Sequence, residues 1–399
     1  MISGNPSPLR IMLIAQRSRV LFRLPEIFSA SHVHVTLVAR ADYELAQSPF
    51  VHRFIPLIGS LSADENDSFV ADLIGTGVLD RSEDLGDWII VAEDLEIRLL
   101  SESGLPAATL DRLLPAKNLL GRSLFDSKVG LTKALTQLRI PQPPTLVAED
   151  PGELEAIFSK IDTSTLVKAD SGHGGKTIAN IPNPHNFDLA TIPTDWFPVI
   201  VQDFMEGELC AVEAQFVHGQ LVGYLYSTVL KIFSQLGTST DRLFTTPPND
   251  QVEIALTTLG KAGSLHGLAN CTFIREASTG EYLLIEVDMR PTIWHQFGPK
   301  LGVDWVSLYE NPPDRPVHNE GSQPIAHYPR SILRAVKHRD FALVRTWISR
   351  GPGTWEMRNK GDEVVNRADL RAIYRNIWEK FLHSIWRVTP APLQRFMKK

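Results

Sequence analysis

The sequence has little cysteine, no excess of positive charge and no long apolar run. Its two cysteines, Cys210 and Cys271, stand far apart without a CxxC motif or a Cys/His cluster, so neither a disulfide framework nor a structural zinc site is predicted. The net charge of −6 argues against binding to nucleic-acid phosphates. No run reaches the roughly 18 apolar residues of a membrane helix, and the polar start lacks a signal-peptide pattern. We therefore expect a cytoplasmic protein without a transmembrane segment and without a nucleic-acid partner.

The first part of the chain has the pattern of a small α/β domain. Of its 399 residues, 43% are hydrophobic and 22% charged, and this length suits two or three packed subdomains. Short apolar runs at 10–14, 34–38 and 88–91 alternate with helical stretches, a pattern typical of a parallel sheet buried on both faces. No GxGxxG motif follows the first run, which disfavours dinucleotide binding. We interpret residues 1–110 as a domain that binds substrate rather than a cofactor.

The remainder of the chain has a different pattern. Residues 126–138 carry apolar side chains at helical spacing, with Asp126 as the expected N-cap. The strand-like runs that follow are joined as hairpins, most clearly around 218–220, which indicates antiparallel sheets of the α+β class across 111–320. Residues 321–399 are expected to be mostly helical. Their basic, aromatic end is either a helix that caps the core or one that docks on a partner or a membrane surface.

A glycine-rich loop follows a strand that carries a lysine. Residues 166–178 read LVKADSGHGGKTI, in which the glycines allow backbone N–H groups to approach phosphate oxygens and Lys168 supplies a charge. A Walker A loop is rejected, because Asp170 occupies the place of its first glycine and a strand rather than a helix is predicted after the loop. Taken alone, the segment is equally consistent with a glycine-rich hairpin turn.

Five motifs occur in a fixed order along the chain. They are Lys128 at the start of a helix, IPQPPT at 140–145, LVKADSGHGG at 166–175, VQDFMEGEL at 201–209 and YLLIEVDMRPT at 282–292. In this order they resemble the ATP-grasp superfamily, which includes D-alanine–D-alanine ligases, biotin carboxylase and many carboxylate–amine ligases. The resemblance covers roughly 115–310. It implies a Rossmann-like preATP-grasp domain, then an ATP-grasp fold of two α+β subdomains, and ATP as a ligand.

The resemblance also implies roles for individual residues in nucleotide binding. Those residues are Lys128, Lys168, Gly172, His173, Gly174, Gly175, Gln202, Asp203, Met205 and Glu208. The two lysines would contact the α- and β-phosphates, and Gln202 would read the adenine amino group. Backbone groups of Asp203 and Met205 would pair with the adenine edge, and Glu208 would hold the ribose hydroxyls. For Lys128 alone, a solvated helix lysine is the alternative.

Two carboxylates close to each other mark the last motif. Glu286 and Asp288 alternate with apolar residues, so both are expected on one face of a strand, where they would repel unless a cation such as Mg²⁺ or Mn²⁺ neutralises them. In the family an asparagine usually stands where Asp288 does. The resemblance implies that Arg290 binds the acyl phosphate or the substrate carboxylate. It also implies that Lys168 takes part in catalysis. The alternative for Arg290 is a structural pair with an aspartate. Thr272 stands where the family carries a third acid.

Together these features predict an ATP-dependent ligase that joins a small-molecule carboxylate to an amine or related nucleophile through an acyl phosphate. The family often has a flexible substrate loop where residues 236–242 lie, and dimers are common among such proteins. Two alternatives stay open. Thr272 suggests an ATP-binding regulatory protein with impaired catalysis, and a phosphotransferase would release the phosphorylated acid without using an amine.

Overall fold

The protein, seen in a computed structural model, is described at residues 8–29, 32–57, 65–80, 85–172, 175, 177–232, 239, 241–326 and 330–350. The strands are β1 Leu9–Ile14, β2 Val33–Arg40, β3 Arg53–Leu57, β4 Trp88–Val91, β5 Thr145–Ala148, β6 Thr165–Ala169, β7 Ile178–Ile181, β8 Val199–Asp203, β9 Gly207–Val217, β10 Gln220–Lys231, β11 Asp241–Thr245, β12 Gly267–Glu276, β13 Tyr282–Asp288, β14 Val317–His318 and β15 Ser322–Ala326. The helices are α1 Leu24–Ile27, α2 Glu65–Gly75, α3 Asp94–Glu102, α4 Ala107–Leu113, α5 Leu119–Arg122, α6 Lys128–Leu138, α7 Pro151–Phe158, α8 Gln251–Gly263, α9 Trp305–Glu310, α10 Arg330–Lys337 and α11 Phe341–Arg350.

The first sheet is parallel, with the strand order β3-β2-β1-β4. It confirms the strands predicted at 10–14, 34–38 and 88–91. Met12 and Ile14 pack into one hydrophobic core, whereas Ile11 and Leu13 pack into another. Because both faces of the sheet are covered, its strands are continuously apolar instead of alternating.

The second sheet is antiparallel, in the order β5-β8-β6-β7, and packs against α7. In its register Leu166 lies opposite Gln202, and Lys168 lies opposite Ile200. Since residues two apart on a strand share a face, Lys168 and Gln202 project from the same face of this sheet.

The third sheet has the order β13-β12-β9-β10-β11-β15, and β14 pairs with β10. Val212 and Phe216 point into the hydrophobic core that also contains residues of α8. Glu213 lies on the opposite face, because strand residues alternate. The chain is thus a mixed α/β protein with one parallel sheet and two largely antiparallel sheets, as the sequence predicts. The divisions at 110/111 and 320/321 stay predictions. Within the described ranges no helix is long and apolar enough to cross a bilayer.

One local expectation is wrong. Asp126 is not the N-cap of α6, because the hydroxyl of Ser127 accepts the hydrogen bond from Gly130 N at 2.9 Å. Asp126 instead has a left-handed backbone, with φ of 48°. In the C-terminal part of the chain, strand β15 pairs with β11, and helices α10 and α11 follow it. The basic aromatic end lies outside the described residues.

Helices α5 and α8 approach closely at two glycines. A Cβ atom on Gly121 would lie 2.1 Å from Gly263 O and 2.6 Å from Ala116 Cβ. Asn118 secures the same contact, because its Nδ2 donates to Ala262 O at 2.8 Å. The close approach therefore requires glycine at position 121.

Gly121→Ala is expected to lower the free energy of unfolding by roughly 1–3 kcal/mol, because the new methyl group forces α5 and α8 apart. Denaturant unfolding measures the change. Gly75→Ala is the matched control, since nothing lies within 4 Å of its added Cβ. Equal stability of the Gly121 variant and the wild type would show that the contact is not tight.

Candidate active site

The N-terminus of α6 docks against the loop that follows β6. The carboxylate of Asp170 accepts hydrogen bonds from Ser127 Oγ at 2.9 Å and from Val129 N at 2.8 Å. Lys128 Nζ donates to the carbonyl oxygens of Gly172 at 3.1 Å and Asp170 at 3.4 Å. The lysine that begins α6 and the glycine-rich loop, two of the five ordered motifs, are therefore in direct contact.

The glycine-rich loop has a backbone suited to glycine. Gly172 has φ of 125° and Gly175 has φ of 74°, both in the region that side chains disfavour. A Cβ on Gly172 would lie 2.3 Å from Thr177 Oγ1. His173 and Gly174, also predicted to bind the nucleotide, lie outside the described residues.

Lys168 and Gln202 form a buried pair on the second sheet. Lys168 Nζ donates to Gln202 Oε1 at 2.7 Å, and Gln202 Nε2 donates to Thr145 Oγ1 at 3.0 Å. Burial lowers the pKa of Lys168 to about 8, Glu286 opposes this shift, and Lys128 adds to it. An amide oxygen has two lone pairs, so Gln202 can accept from Lys168 and from a second donor.

The segment between β8 and β9 carries the other predicted adenine and ribose residues. Asp203 N donates to Pro144 O at 2.9 Å, which ties this segment to the start of β5. Met205 is half-buried, whereas Glu208 is exposed and lies opposite Arg275 in the β9–β12 ladder. Glu208 and Arg275 also line a cavity of about 560 Å³. None of the predicted phosphate- or metal-binding residues lines this cavity, so its size alone does not locate the chemistry.

Glu286 and Asp288 project from one face of β13, as expected from their spacing. In the ladder with β12, Glu286 lies opposite Thr272 and Asp288 lies opposite Asn270. Burial raises the pKa of Asp288 well above its ordinary value, and the negative charge of Glu286 raises it further. The register also places Thr272 directly beside Glu286.

Arg290 bridges two aspartates that are far apart in sequence. Its Nε donates to Asp94 Oδ2 at 2.5 Å, and its Nη2 donates to Asp288 Oδ2 at 3.0 Å. Burial acts to lower the pKa of Arg290, but Asp288 and Asp94 outweigh it and raise the pKa above its ordinary value. The sequence offered an Arg–Asp pair as an alternative, but it did not identify Asp94, whose only signal is its position after a buried strand.

The two carboxylates of β13 fit a hard divalent cation. Their mutual repulsion destabilises the doubly charged state, and a cation coordinated by carboxylate oxygens removes that repulsion. In the described part of the chain no group of three or more His, Cys, Asp or Glu side chains is placed to hold a metal. Glu286 and Asp288 would be the carboxylate ligands of such a cation, and further oxygen ligands would complete its coordination.

A buried carboxylate lies beside the β13 pair. Glu213 is fully buried, and its Oε1 accepts from Arg242 Nη1 at 2.7 Å and from Asn270 Nδ2 at 2.8 Å. Burial lowers the pKa of Arg242, which also lies with its guanidinium 4.4 Å from the Trp294 ring centre. Arg242 belongs to strand β11, which corrects the expectation that it is part of a flexible substrate loop. No sequence pattern linked it to Glu213.

A second buried carboxyl group lies at the carboxyl edge of the first sheet. Glu96 is almost fully buried in the first turn of α3, and its Oε1 accepts a hydrogen bond from Gln16 N at 2.6 Å. Burial raises the pKa of Glu96 from 4.5 to about 8, and Glu93 adds to the shift. The folded protein therefore holds this proton across a pH range in which the unfolded chain releases it.

The contribution of Glu96 to stability should fall as the pH rises from about 4.5 to about 8, because ionisation of its carboxyl group then favours the unfolded chain. Glu96→Gln cannot ionise but can keep the bond from Gln16 N. From pH 5 to pH 8 the free energy of unfolding of the Glu96→Gln variant should therefore rise by roughly 2 kcal/mol or more relative to that of the wild type. Denaturant titrations at both pH values measure this, and parallel pH profiles for the two proteins would contradict it.

Neither a protein-family model nor a curated protein matches the sequence.

Solved structures do resemble the chain. The N5-carboxyaminoimidazole synthetase from Staphylococcus aureus complexed with ADP is 11% identical, with 80% of this chain and 82% of that chain covered and a TM-score of 0.57. The biotin carboxylase from Campylobacter jejuni is 12% identical, with 77% and 72% covered and a TM-score of 0.59. The L-amino acid ligase from Bacillus licheniformis is 16% identical, with 76% and 70% covered and a TM-score of 0.51. At such low identities the likeness concerns the fold.

Proposed function

Because the chain has the ATP-grasp fold, we propose that it is an ATP-dependent ligase. It converts a small-molecule carboxylate into an acyl phosphate and transfers the acyl group to an amine or a related nucleophile, with release of ADP and phosphate. The observation that carries this proposal is the placement of two lysines and two acids. Lys128 contacts the glycine-rich loop at 3.1 Å, Lys168 is buried on the second sheet with its pKa influenced by the charge of Glu286, and Glu286 and Asp288 share one face of β13. Two cations and two carboxylates so arranged suit a polyphosphate and its counter-ion.

Each part of the nucleotide has a proposed partner. Lys128, Lys168 and the backbone of the loop with Gly172 and Gly175 bind the phosphates, since ammonium and N–H groups are donors to phosphate oxygens. The side chain of Gln202 accepts from the adenine amino group. Backbone groups of Asp203 and Met205 hold the adenine edge, and Glu208 holds the ribose hydroxyls.

Glu286 and Asp288 are the proposed ligands of Mg²⁺ or Mn²⁺. A divalent cation there supplies neutralisation of charge on the phosphate oxygens. Arg290 is the proposed partner of the substrate carboxylate or of the acyl phosphate, because its fork of N–H donors can bind either group. Lys168, buried and positively charged below about pH 8, stabilises negative charge on the transferred phosphoryl group.

Cellular setting and assembly follow as parts of the same proposal. The substrates are small molecules, the protein acts in the cytoplasm, and a homodimer is its proposed assembly. A net charge of −6 supports the absence of a nucleic-acid partner.

A regulatory ATP-binding protein is the second candidate, and one observation favours it. Thr272 lies opposite Glu286, so this place in the ladder has a hydroxyl where a third acid would add negative charge. In that case the protein would bind the nucleotide but turn it over slowly or not at all.

The test is ADP release from Mg²⁺-ATP with pooled carboxylates, with and without pooled amines. Release that needs both an acid and an amine supports the ligase. Release with the acid alone would indicate a phosphotransferase. Tight nucleotide binding without turnover on any pool would favour the regulatory protein.

A further inference from the structure

One face of α3 reaches two parts of the candidate active site. Asp94 and Arg98 are four residues apart, so they lie one above the other on the same side of the helix. Asp94 Oδ2 is 2.5 Å from Arg290 Nε, and Arg98 Nη1 is 3.1 Å from Asp126 Oδ2. A helix of the N-terminal unit is therefore ion-paired both to the end of β13 and to the start of α6.

Asp126 contacts the glycine-rich loop as well as Arg98. Its Oδ1 accepts a hydrogen bond from Gly172 N at 3.3 Å, while its Oδ2 pairs with Arg98. Its left-handed backbone, with φ of 48°, is uncommon for a residue other than glycine and requires support from its surroundings. Ser127 and Lys128 follow directly, so the position of Asp126 also affects the cap of α6 and its first lysine.

Arg290 is held from two sides. Asp94 binds Nε and Asp288 binds Nη2, and the side chain of Arg290 is only 14% exposed. A guanidinium with two fixed carboxylate partners has little rotational freedom. If the partner on β13 is engaged by a cation, Asp94 is the charged partner that still orients Arg290, beside a weak hydrogen bond from Nη1 to Pro291 O at 3.4 Å.

We propose that Asp94 and Arg98 are positioning residues, which align Arg290 and the glycine-rich loop from a single face of α3. This inference rests on the proposed function and deepens it, because it assigns the N-terminal unit a role in the phosphoryl-transfer site. Asp94 acts on the step that uses Arg290, and Arg98 acts on the binding of the phosphates. Neither residue touches the reacting atoms.

The two residues should have different kinetic effects. Asp94→Asn is expected to lower kcat by about 100-fold with little change in the KM for ATP, because Arg290 is then misplaced at the reacting group. Arg98→Met is expected to raise the KM for ATP about tenfold with a smaller effect on kcat, because the loop is loosened. Asp94→Glu and Arg98→Lys should recover part of each loss. A similar fall in kcat together with a similar rise in the KM for ATP in both variants would indicate a general structural role and overturn the assignment.

Hydrogen–deuterium exchange tests the positioning without any substrate. Arg98→Met should speed exchange in peptides that cover 168–175, and Asp94→Asn should do so in peptides that cover 286–292. Glu102→Gln is the matched control, since it removes an exposed carboxylate one turn beyond Arg98. Unchanged exchange in folded Asp94 and Arg98 variants would overturn the proposal. Failure of the wild type to bind Mg²⁺-ATP would instead count against the proposed function, while the exchange result still decides the positioning.

Discussion

Glu286→Gln is expected to reduce acid- and amine-dependent ADP formation by about 1,000-fold, because it removes a charged oxygen donor from the proposed cation site. Asp288 alone then leaves the cation with a single carboxylate ligand from β13. Glu286 is exposed, so its replacement should leave the free energy of unfolding nearly unchanged. Steady-state ADP release at saturating Mg²⁺-ATP measures the effect.

The matched control is Glu281→Gln, which removes an exposed carboxylate immediately before β13. It should keep full activity. A rise in the Mg²⁺ concentration needed for half-maximal rate in the Glu286 variant, but not in the control, would tie the loss to the cation. Activity of the Glu286 variant within a few-fold of the wild type would show that β13 does not hold the cation.

Arg242→Met is expected to lower the free energy of unfolding by about 3–5 kcal/mol, because it leaves the buried carboxylate of Glu213 without its counter-charge. Asn270 still donates to Glu213 at 2.8 Å, but a neutral donor does not replace a cation. Urea unfolding followed by circular dichroism measures the change.

The double variant Glu213→Gln with Arg242→Met separates charge from packing. Removing both charges should recover roughly 2 kcal/mol of the loss, since no uncompensated charge is then buried. If the double variant is less stable than Arg242→Met alone, the damage comes from lost packing against Trp294 rather than from the charge.

Local patterns in the sequence predicted much of the fold. The continuous apolar runs of β1 and β4 predicted a parallel sheet, and the turn at 218–220 predicted the β9–β10 hairpin. Alternation along β13 placed Glu286 and Asp288 on one face. The motif order also linked Lys128 to the loop with Gly172, which the structure shows in contact. These features depend on residues that are close in sequence or on a known order of motifs.

Contacts between residues that are far apart in the sequence could not be predicted from local patterns. Arg290 and Asp94 are 196 residues apart, and nothing in either local sequence specifies the other as partner. The pair of Glu213 with Arg242 depends on the order of three strands in the third sheet. The pairing of β15 with β11 joins two segments whose local sequences do not specify each other. Tertiary packing, rather than local preference, determines all three.

The most direct test of the acyl-phosphate account follows an oxygen atom. Once the assay panel yields an acid that is used, that acid is labelled with ¹⁸O in its carboxylate and the released phosphate is analysed by mass spectrometry. Attack of the carboxylate on the γ-phosphate followed by acyl transfer leaves one carboxylate oxygen in phosphate, so the account predicts ¹⁸O-phosphate in equal amount to ADP. Unlabelled phosphate, or AMP and pyrophosphate with the label in AMP, would contradict it.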